Sequence, residues 1–432
     1  MSPELSYLPQ GWVDERLGDL VSFGGGYGFS ECFQGRKDGD YPFYKVSDMS
    51  LPGNERYLTV ANNYVLKQVA KQNGWAPFPV GSVVFAKVGA ALLLNRRRVL
   101  AQESLIDNNM MAAIPVAIDE DFLYWWFQSV DFSIFVQPGA VPSVNQNQLS
   151  LLPVCLPTAY EQRRIAEILD TLDDAIQKTE QLINKLKKIK QGLLHDLLTR
   201  GIDENGQLRD PIAHPEQFKE SVLGRIPREW DVPRIADIAI HVGSGVTPRG
   251  GSDVYKTEGV LFVRSQNVHF DGLRLDDVAY IDRRTHEQMS RSEIFPHDVL
   301  INITGASIGR CCAFPDGLGV ANVNQHVCAI RTEAPNKDDA KFLSSVLFSH
   351  FGQSQIDRLN AGGNREGLNY EQLRSFVIPW PTQEERQRIA EILFSQDKRL
   401  SDEDSYLRKL ALMKNGLMRD LLTGRVRTIQ GE

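Results

Sequence analysis

Residues with acid–base or metal-binding side chains are scattered singly along this sequence rather than clustered. The histidines are His195, His214, His241, His269, His286, His297, His326 and His350. No two are four residues apart and H-E-x-x-H is absent, so the helical zinc site of a metalloprotease is not indicated. We expect structural or solvated roles for these histidines. His326 is of most interest because its neighbours are polar.

The cysteines give no sign of a disulfide framework or a metal site. They are Cys32, Cys155, Cys311, Cys312 and Cys328. Their number is odd and no C-x-x-C pair occurs, so neither a set of disulfides nor a zinc ribbon is predicted. We expect five reduced thiols, most of them buried.

Motifs for nucleotide, cofactor and metal chemistry are missing from the sequence. There is no G-x-x-x-x-G-K-[ST] loop, and the glycine clusters do not fit G-x-G-x-x-G between a strand and a helix. The segment TGASIG at 304–309 has no lysine and is predicted to be a turn. An Asp/Asn-Pro-Pro-Tyr/Phe motif for methyl transfer and a carboxylate–lysine nuclease cluster are also absent. We therefore expect no catalytic centre, metal or cofactor in this chain.

Polar and cationic side chains recur at matched places in the two halves of the chain. The stretch FYKVSDM from Phe43 is similar to FVRSQNV from Phe262, and VVFAKVG ending at Gly89 is similar to VLINITG ending at Gly305. Such side chains contact phosphates and base edges in protein–DNA complexes. The candidate DNA-binding residues are Lys45, Ser47, Lys87, Arg96, Arg97, Arg98, Asn108 and Asn109, then Arg264, Gln266, Asn267, Thr304, Arg310, Asn324, Gln325 and His326.

The pairing between the halves is loose at some of these positions. Lys87 matches either Ile303 or Thr304, and Arg310 is the one counterpart of the three consecutive arginines 96–98. Residues 108–109 fall opposite residues 324–326. Each residue taken singly is as compatible with ordinary solvated surface as with DNA contact, whereas the group favours a DNA-binding face.

A long duplicated segment organises the chain around these candidates. Residues 157–199 align with residues 381–423 at a constant offset of 224, with 19 identities in 43 positions and no gap. Each copy opens with T-x-x-E, at Thr158 and Glu161 and again at Thr382 and Glu385, which is typical of a helix capping box. No proline follows within either copy, so each is predicted to be one helix of roughly 60 Å.

The apolar residues of both segments follow the four–three spacing of a coiled-coil seam. The predicted seam residues are Ile165, Leu169, Leu172, Ile176, Ile183, Leu186, Leu193 and Leu197 in the first copy, and Ile389, Leu393, Leu400, Leu407, Leu410, Leu417 and Leu421 in the second. A single stripe cannot be buried alone, so the two helices are expected to pack on each other. Gln396 and Glu403 stand where the second seam should be apolar and suggest looser packing there.

Gly192 and Gly416 interrupt both helices at the same place, at a cost of about 1 kcal/mol each relative to alanine. A close approach of the two helices and a local bend explain them equally well.

The predicted order is globular domain, long helix, globular domain, long helix. The globular parts are residues 1–155 and 225–378, the helical segments are 156–200 and 379–426, and residues 201–224 form a polar linker with two prolines and three glycines. Short apolar runs broken by glycine and proline alternate with helical stretches in both globular parts. The predicted fold class is therefore α+β, with two mixed domains of short strands in an internal repeat.

Composition is that of a globular protein, with 42% hydrophobic and 24% charged residues in 432. The net charge of −7 weighs mildly against nucleic-acid binding, although binding depends on where the charges sit. No signal peptide or membrane-spanning run is visible, so we expect a cytoplasmic protein.

The helical openings PTAYEQRRIAEIL and PTQEERQRIAEIL, the closing L-L-T and the two-copy layout resemble the specificity subunit of type I restriction-modification systems. The resemblance covers essentially the whole chain. It implies two target-recognition domains, 1–155 and 225–378, that each read one half of a split DNA site. It also implies that the long helices form an antiparallel coiled coil, which relates the halves by a pseudo-two-fold axis and sets the spacer between half-sites.

The resemblance further implies partners and the location of the methyl donor. Two modification subunits, which are adenine methyltransferases, would dock on the helices, and restriction subunits would join them on double-stranded DNA. S-adenosylmethionine would be bound by the modification subunit and not by this chain. Because the recognition domains differ outside the matched patches, the two half-sites are expected to differ.

Three other functions compete with this interpretation. One is a methyltransferase or nuclease that acts alone, which the missing motifs disfavour. Another is a coiled-coil scaffold or adaptor that does not read DNA, which the acidic charge allows. The last is a recognition subunit of another restriction class.

Overall fold

A computed structural model describes residues 8–136, 141–248, 250–360 and 367–428. The chain divides into two units. Unit 1 comprises residues 1–180 and 406–432, and unit 2 comprises residues 181–405. Each unit therefore contains one predicted globular domain and parts of both long helical segments.

Unit 1 is a mixed α+β domain whose sheets are antiparallel except where β3 pairs with β8 and β4 with β7. Its strands are β1 (Val13–Arg16), β2 (Val21–Gly25), β3 (Tyr41–Tyr44), β4 (Tyr57–Leu58), β5 (Tyr64–Val65), β6 (Val83–Ala86), β7 (Arg97–Leu100), β8 (Leu105–Ile106), β9 (Met110–Pro115) and β10 (Pro153–Leu156). Its helices are α1 (Leu17–Leu20), α2 (Lys67–Gln72), α3 (Ala90–Leu93), α4 (Glu120–Ser129), α5 (Gln146–Ser150) and the start of α6 (Ala159–Thr199). The strand orders are β2-β9-β6-β7-β4 and β5-β3-β8, with β1 paired to β10.

Unit 2 repeats this plan. Its strands are β11 (Phe218–Ser221), β12 (Gly224–Pro227), β13 (Ala239–Ser244), β14 (Val260–Val263), β15 (Val268–His269), β16 (Gly272–Leu273), β17 (Ala279–Ile281), β18 (Glu293–Ile294), β19 (Val299–Asn302), β20 (Cys311–Ala313), β21 (Ala321–Val323) and β22 (Val327–Thr332). Its own helices are α7 (Ile235–Ile238), α8 (Arg283–Gln288), α9 (Lys337–Phe348), α10 (His350–Asn360), α11 (Tyr370–Arg374) and the start of α12 (Gln383–Leu421). The order β13-β22-β19-β20 corresponds to β2-β9-β6-β7, and β17-β14-β21 corresponds to β5-β3-β8, whereas β4 of unit 1 and β18 of unit 2 extend their sheets without a counterpart. β14 pairs with β21 in parallel as β3 does with β8.

The long helices α6 and α12 have 41 and 39 residues. In unit 1, Asp173 pairs with Lys414 and Glu161 pairs with Arg427, so the paired segments run in opposite directions. In unit 2, Lys190 pairs with Asp397, which is the same ion pair shifted by the offset of 224. The antiparallel packing implied by the family resemblance is therefore present in each unit.

The predicted seam residues are all shielded from solvent, and many of them belong to the domain cores. Nine are buried: Ile165, Leu169, Ile183, Leu186, Leu197, Ile389, Leu393, Leu410 and Leu421. Six are half-buried: Leu172, Ile176, Leu193, Leu400, Leu407 and Leu417. Ile165 and Leu421 join the core of unit 1, and Leu197 and Ile389 join that of unit 2. The stripe thus packs on the globular domain as well as on the other helix.

The glutamate of each T-x-x-E opening faces inward instead of only capping its helix. In unit 1, Glu161 is fully buried, accepts a 3.0 Å hydrogen bond from Trp12 Nε1 and pairs with Arg427 at 2.7 Å. In unit 2, Glu385 does the same with Trp230 Nε1 at 3.0 Å and Arg209 at 2.6 Å. We call each set a Trp–Glu–Arg anchor.

The threonines do cap, as predicted. Thr158 Oγ1 accepts from the amide of Glu161 at 3.4 Å, and Thr382 Oγ1 accepts from that of Glu385 at 3.3 Å. Each T-x-x-E segment therefore has two roles: its threonine caps the helix, and its glutamate joins the helix to the globular domain through the anchor.

Residues 201–224 are ordered in unit 2, although their composition predicted a linker. Ile202 is buried in the core, its amide donates to Glu385 Oε1 at 2.8 Å, and β11 pairs with β12 in a hairpin. Arg209, in the middle of this segment, is the arginine of the anchor.

Both glycines lie inside continuous helices with no close neighbour. A Cβ added to Gly192 or to Gly416 meets no described atom within 4 Å. A close approach of the two long helices is therefore not the reason for these glycines.

Candidate nucleic-acid interface

Three loops at one end of the sheets come together in unit 1. We call them its strand-end loops: residues 45–50 after β3, residues 87–96 between β6 and β7, and residues 107–109 between β8 and β9. The amide of Asp107 donates to the Tyr44 carbonyl at 2.9 Å, and that of Lys87 donates to the Asn109 carbonyl at 2.8 Å. The third loop is thus hydrogen-bonded to the other two.

Unit 2 builds the same junction. Its strand-end loops are residues 264–267 after β14, residues 303–310 between β19 and β20, and residues 324–326 between β21 and β22. The amide of Asn324 donates to Val263 at 3.1 Å, and that of Ile303 donates to His326 at 2.9 Å. These bonds fix the correspondence between units, so Lys87 corresponds to Ile303, Asn108 to Gln325 and Asn109 to His326.

The cationic residues of the strand-end loops also correspond between the two units. Phe85 of β6 is registered with Arg97, and Ile301 of β19 with Cys311, which places Arg96 opposite Arg310 in the repeat. Lys45 and Arg264 each precede a short 3₁₀ turn of the same form. Each unit therefore presents two cations at equivalent places, and unit 1 adds Lys87.

In unit 1 these cations have few partners. Lys45 Nζ donates to Gln34 Oε1 at 3.2 Å, and Arg96 donates to the Ser50 hydroxyl. Neither they nor Lys87 forms an ion pair with any residue that the structure describes. Ser47, Asn108 and Asn109 are exposed beside them. This face combines cations that form no described ion pair with amides and a hydroxyl, which are the groups that contact phosphates and bases.

In unit 2 the polar side chains of the strand-end loops are hydrogen-bonded to one another or to Asp277. Arg264 and Gln266 both bind Asp277, at 3.3 and 2.5 Å. Thr304 Oγ1 lies 2.5 Å from His326 Nδ1, and Gln325 Nε2 lies 3.2 Å from His326 Nε2. Gln325 is exposed, and Thr304, Arg310 and His326 are half-buried. The side chains of this face are fixed before any ligand arrives.

Two candidates must be withdrawn because they are buried and hydrogen-bonded inside their domains. Arg97 is 1% exposed, lies 3.9 Å from the Phe132 ring centre and donates to the Val130 carbonyl, and burial lowers its pKa to about 10. Asn267 is also 1% exposed, accepts from the amide of Arg264 at 3.0 Å and donates to two carbonyls. Both positions stabilise a strand-end loop instead of contacting a ligand.

Arg98 and Asn324 are weaker candidates for the same reason. Arg98 donates to the carbonyls of Met49 and Arg97 at 2.9 and 2.8 Å. Asn324 is 8% exposed, and its Oδ1 accepts from the amide of His326 at 3.1 Å. Side chains of short irregular loops point inward or outward without a regular period. A buried arginine or asparagine in such a loop therefore cannot be distinguished from an exposed one by sequence.

A fourth segment of each unit, which directly follows β2 or β13, also lies at this face, and it was not predicted from the sequence. Gly26 and Gly245 follow β2 and β13 in equivalent places, and a Cβ on either would lie 2.0 or 1.6 Å from a carbonyl oxygen of the neighbouring strand end. Only glycine permits this close approach. Thr247, two residues later, contacts Gln325. The matched glycines were the sequence signal that could have identified this segment.

Within the described residues, no group of three or more His, Cys, Asp or Glu is placed to hold a metal ion. No helix among the described residues is both long and apolar enough to cross a membrane.

The fold and the matched loops define a duplicated protein with two equivalent polar faces carried by paired long helices. The family of the type I restriction modification DNA specificity domain matches residues 9–188 and 227–404, that is, both halves. The chain belongs to this family, whose members supply specificity and are not enzymes.

Individual relatives agree with this membership. The chain is similar to the type I restriction enzyme MjaVIII specificity subunit of Methanocaldococcus jannaschii, with 22% identity over 97% of this chain and 94% of the relative. It is also similar to the EcoBI specificity subunit of Escherichia coli, with 24% identity over 88% and 77%. The crystal structure of a type I S subunit from M. genitalium has the same fold, with a TM-score of 0.58 at 14% identity over 96% of both chains.

Proposed function

We propose that this chain is the specificity subunit of a type I restriction-modification complex in which each recognition domain reads one half of a bipartite DNA site. The observation that carries the proposal is the repeated junction of strand-end loops. Both units bring the same loops together and place cations and amides at corresponding positions. Arg96 and Arg310 suit phosphate, while Asn108, Asn109 and Gln325 suit base edges.

The differences between the two faces support two different half-sites. Unit 1 presents Lys87 where unit 2 has the apolar Ile303. The loop between the last two strands presents the amides of Asn108 and Asn109 in unit 1 but the Gln325 amide and the His326 imidazole in unit 2. An asparagine or glutamine amide pairs with adenine, whereas a cation pairs with guanine. Faces that differ in these groups favour different bases.

Subunits of this family work with modification and restriction subunits on DNA. We propose two modification subunits for this chain, since its helices are duplicated, and a spacer set by the long helices. The methyl donor, S-adenosylmethionine, belongs in this proposal to the modification subunit, and this chain binds no cofactor. A complex that methylates chromosomal DNA acts in the cytoplasm of a prokaryote.

The proposal is tested by co-expressing the chain with the modification subunit of its system and sequencing host DNA for methyladenine. We expect methylation at one split motif that disappears when this chain is deleted. Replacing residues 225–378 by those of a relative is expected to change one half of the motif and leave the other half and the spacer intact. Methylation that persists without this chain would refute the recognition role and favour a scaffold.

A further inference from the structure

The two units differ at the outer edge of the strand that follows the second strand-end loop. In unit 1 this strand is β7, and the short strand β4 pairs with it in parallel. Across this pairing the amide of Val99 donates to the Arg56 carbonyl at 2.8 Å. In unit 2 the corresponding strand is β20, which ends the order β13-β22-β19-β20, and no described strand pairs with its outer edge. Unit 2 therefore leaves unpaired a sheet edge that unit 1 covers.

Ala313 is the residue of this edge that corresponds to Val99. It lies opposite Val299 in the sheet, as Val99 lies opposite Val83. In each strand the following residue donates its amide to the inner neighbouring strand, at 2.7 Å in unit 2 and 3.0 Å in unit 1. Since bonded and non-bonded pairs alternate in an antiparallel ladder, the amide and carbonyl of Ala313 point away from β19. Neither group has a backbone partner among the described residues.

A cavity of 480 Å³ lies beside this edge, within unit 2. It is bounded by the edge, the turn of the β15–β16 hairpin, the start of α9 and one face of α12. Its walls include Phe270, Ala313, Phe314, Asp338, Glu391 and Phe394. Phe270 is 38% exposed and Phe394 is 48% exposed, so large apolar side chains meet solvent here. The cavity joins an unpaired sheet edge to an aromatic surface.

The walls of the cavity correspond to the surroundings of Arg56 in unit 1. The Arg56 guanidinium pairs with Asp121 of α4 at 2.6 Å and with Asp170 of α6 at 2.5 Å. Asp338 occupies the second position of α9, as Asp121 does in α4. Phe394 of α12 corresponds to Asp170 at the offset of 224. The cavity of unit 2 therefore corresponds to the place that the Arg56 side chain fills in unit 1.

The charges of the cavity favour a basic occupant. Asp338 and Glu391 form no ion pair with any described residue. The lysines of the walls are already engaged, because Lys341 pairs with an aspartate of α12 and Lys337 Nζ lies 4.4 Å from the centre of an aromatic ring. Two carboxylates are thus available to a guanidinium group, which binds carboxylates through strong charge-assisted hydrogen bonds.

We infer that the outer edge of β20 and this cavity bind an extended segment of a partner protein in which an arginine is followed by apolar residues. The segment adds a strand to the sheet through the amide and carbonyl of Ala313, and its arginine enters the cavity towards Asp338 and Glu391. The chain itself provides the template for this occupant, since residues 56–58 (RYL) cover the equivalent edge in unit 1. Ala313 lies at the end of β20 away from the strand-end loop 303–310, so the site is distinct from the candidate DNA-binding face.

The first test uses a fluorescein-labelled peptide with the sequence GNERYLTV of residues 53–60, and fluorescence anisotropy measures its binding to the full chain. We expect saturable binding, and binding weaker by about tenfold or more for Glu391→Arg and for Asp338→Arg. Replacing the arginine of the peptide by glutamate is expected to weaken its binding to the original chain and to restore it for Glu391→Arg. Glu333→Arg, at an exposed position of unit 2 outside the cavity, is the matched control and is expected to bind as the original does.

Modified peptides test the added strand itself. Alternate residues of β4 face β7, so the amide of Leu58 points to the sheet, as the Arg56 carbonyl does, and the amide of Tyr57 points away. N-methylation of the leucine amide is therefore expected to weaken binding by about tenfold or more, because it removes a donor to the edge. N-methylation of the tyrosine amide is expected to leave binding unchanged.

Glu391 is exposed on α12, so its variant is expected to fold even if Asp338→Arg weakens the first turn of α9. No binding of the peptide to the original chain, or equal binding to the original and to Glu391→Arg, would overturn the inferred site. A dimer of the original chain in analytical ultracentrifugation that dissociates in Glu391→Arg would also overturn it, because the occupant would then be a second copy.

Discussion

Gln325 is the side chain of unit 2 best placed to read a base. It is exposed, and Thr247 and His326 hold its amide in position. We predict that Gln325→Ala relaxes the specificity of one position in the half-site of the second domain, since a bidentate amide contact discriminates by about 1–3 kcal/mol. The measurement is the methylated motif in host DNA, compared position by position.

Gln217→Ala is the control for this change, because Gln217 is exposed in unit 2 outside the strand-end loops. It is expected to leave the motif unchanged. A Gln325→Ala variant with the full original motif would exclude Gln325 from base reading.

Arg96 and Arg310 are predicted to bind phosphate. Replacing either by alanine removes one cation from a strand-end loop without removing an ion pair. Binding is expected to weaken equally on specific and unrelated DNA. The slope of log K against log salt should fall by about 1 for each arginine lost, measured on the complex with its modification subunits.

Arg97→Ala provides a contrast one residue away. Arg97 is buried over Phe132, so its loss is expected to lower the melting temperature of the chain and leave the salt slope unchanged. Equal effects of the Arg96 and Arg97 variants on the salt slope would contradict the assignment of one to the surface and the other to the interior.

At the scale of elements, the Trp–Glu–Arg anchors tie each long helix to its domain. Glu385→Ala leaves Arg209 and the Trp230 indole without their buried acceptor. Removing one partner of a buried ion pair costs about 3–5 kcal/mol, and we expect this loss in chemical denaturation. Glu161→Ala is expected to cost less, because its partner Arg427 is 28% exposed whereas Arg209 is 12% exposed.

Glu167→Ala, on the solvent-exposed face of α6, is the control. Glu167 pairs with Arg164 in an exposed i, i+3 contact. Its loss is expected to change the free energy of unfolding by no more than about 0.5 kcal/mol. A similar small change for Glu385→Ala would show that the anchor does not stabilise the fold.

Gly192→Ala and Gly416→Ala are predicted to stabilise the free subunit. Neither new methyl group meets a described atom, and alanine is about 1 kcal/mol better than glycine inside a helix. Thermal unfolding of the chain alone should therefore shift upward for each variant. A decrease would indicate that the glycine backbone is needed within this chain.

The helices were predictable because long elements carry redundant signals. The duplicated T-x-x-E openings, the uninterrupted four–three spacing and the 19 identities all agreed, and α6 and α12 begin directly after Thr158 and Thr382. The α+β class and the two-domain repeat followed from the same duplication and are confirmed by the match of the family to both halves.

The strand-end loops were predictable in place but not in detail. Matched sequence patches located all three loops of each unit, since polar residues directly follow buried strands. Which side chains face outward depends on 3₁₀ turns and on hydrogen bonds between distant segments, such as the Asp107–Tyr44 bond. Arg97 is buried by contacts with Val130 and Phe132, which lie more than 30 positions away, and Asn267 is buried by backbone groups of an irregular loop. Neither residue could therefore be separated from its exposed neighbours by pattern alone.

At the scale of the whole molecule, the net charge of −7 does not describe the proposed DNA-binding faces. Part of the acidic charge is internal, since Glu161 and Glu385 of the anchors are buried and paired, whereas the two long helices carry as many cations as acids. The cations of the unit 1 strand-end loops have no such partners among the described residues. The acidic remainder of the surface repels unrelated polyanions, so polyanion binding is directed to the local positive face.

The five thiols report on folding of the whole chain. Burial raises the pKa of Cys312 and of Cys328 to about 12, and it raises the pKa of Cys311 and Cys155 as well. Cys32 is exposed. We predict that a thiol reagent at pH 8 labels one cysteine rapidly in the native protein and all five in urea, and that Cys32→Ser removes the rapid phase. Rapid labelling of three or more thiols in the native state would contradict the buried placement.

The repeated anchors also bear on how such a chain changes over generations. Each recognition domain is fastened by contacts that lie in, or next to, the duplicated helical segments, which share 19 of 43 residues. A genetic crossover within those segments exchanges an entire domain and brings its fastening with it, so the recombinant protein meets the same tryptophan, glutamate and arginine at each junction. New specificities can therefore arise in one event by reassortment, without passing through unstable intermediates.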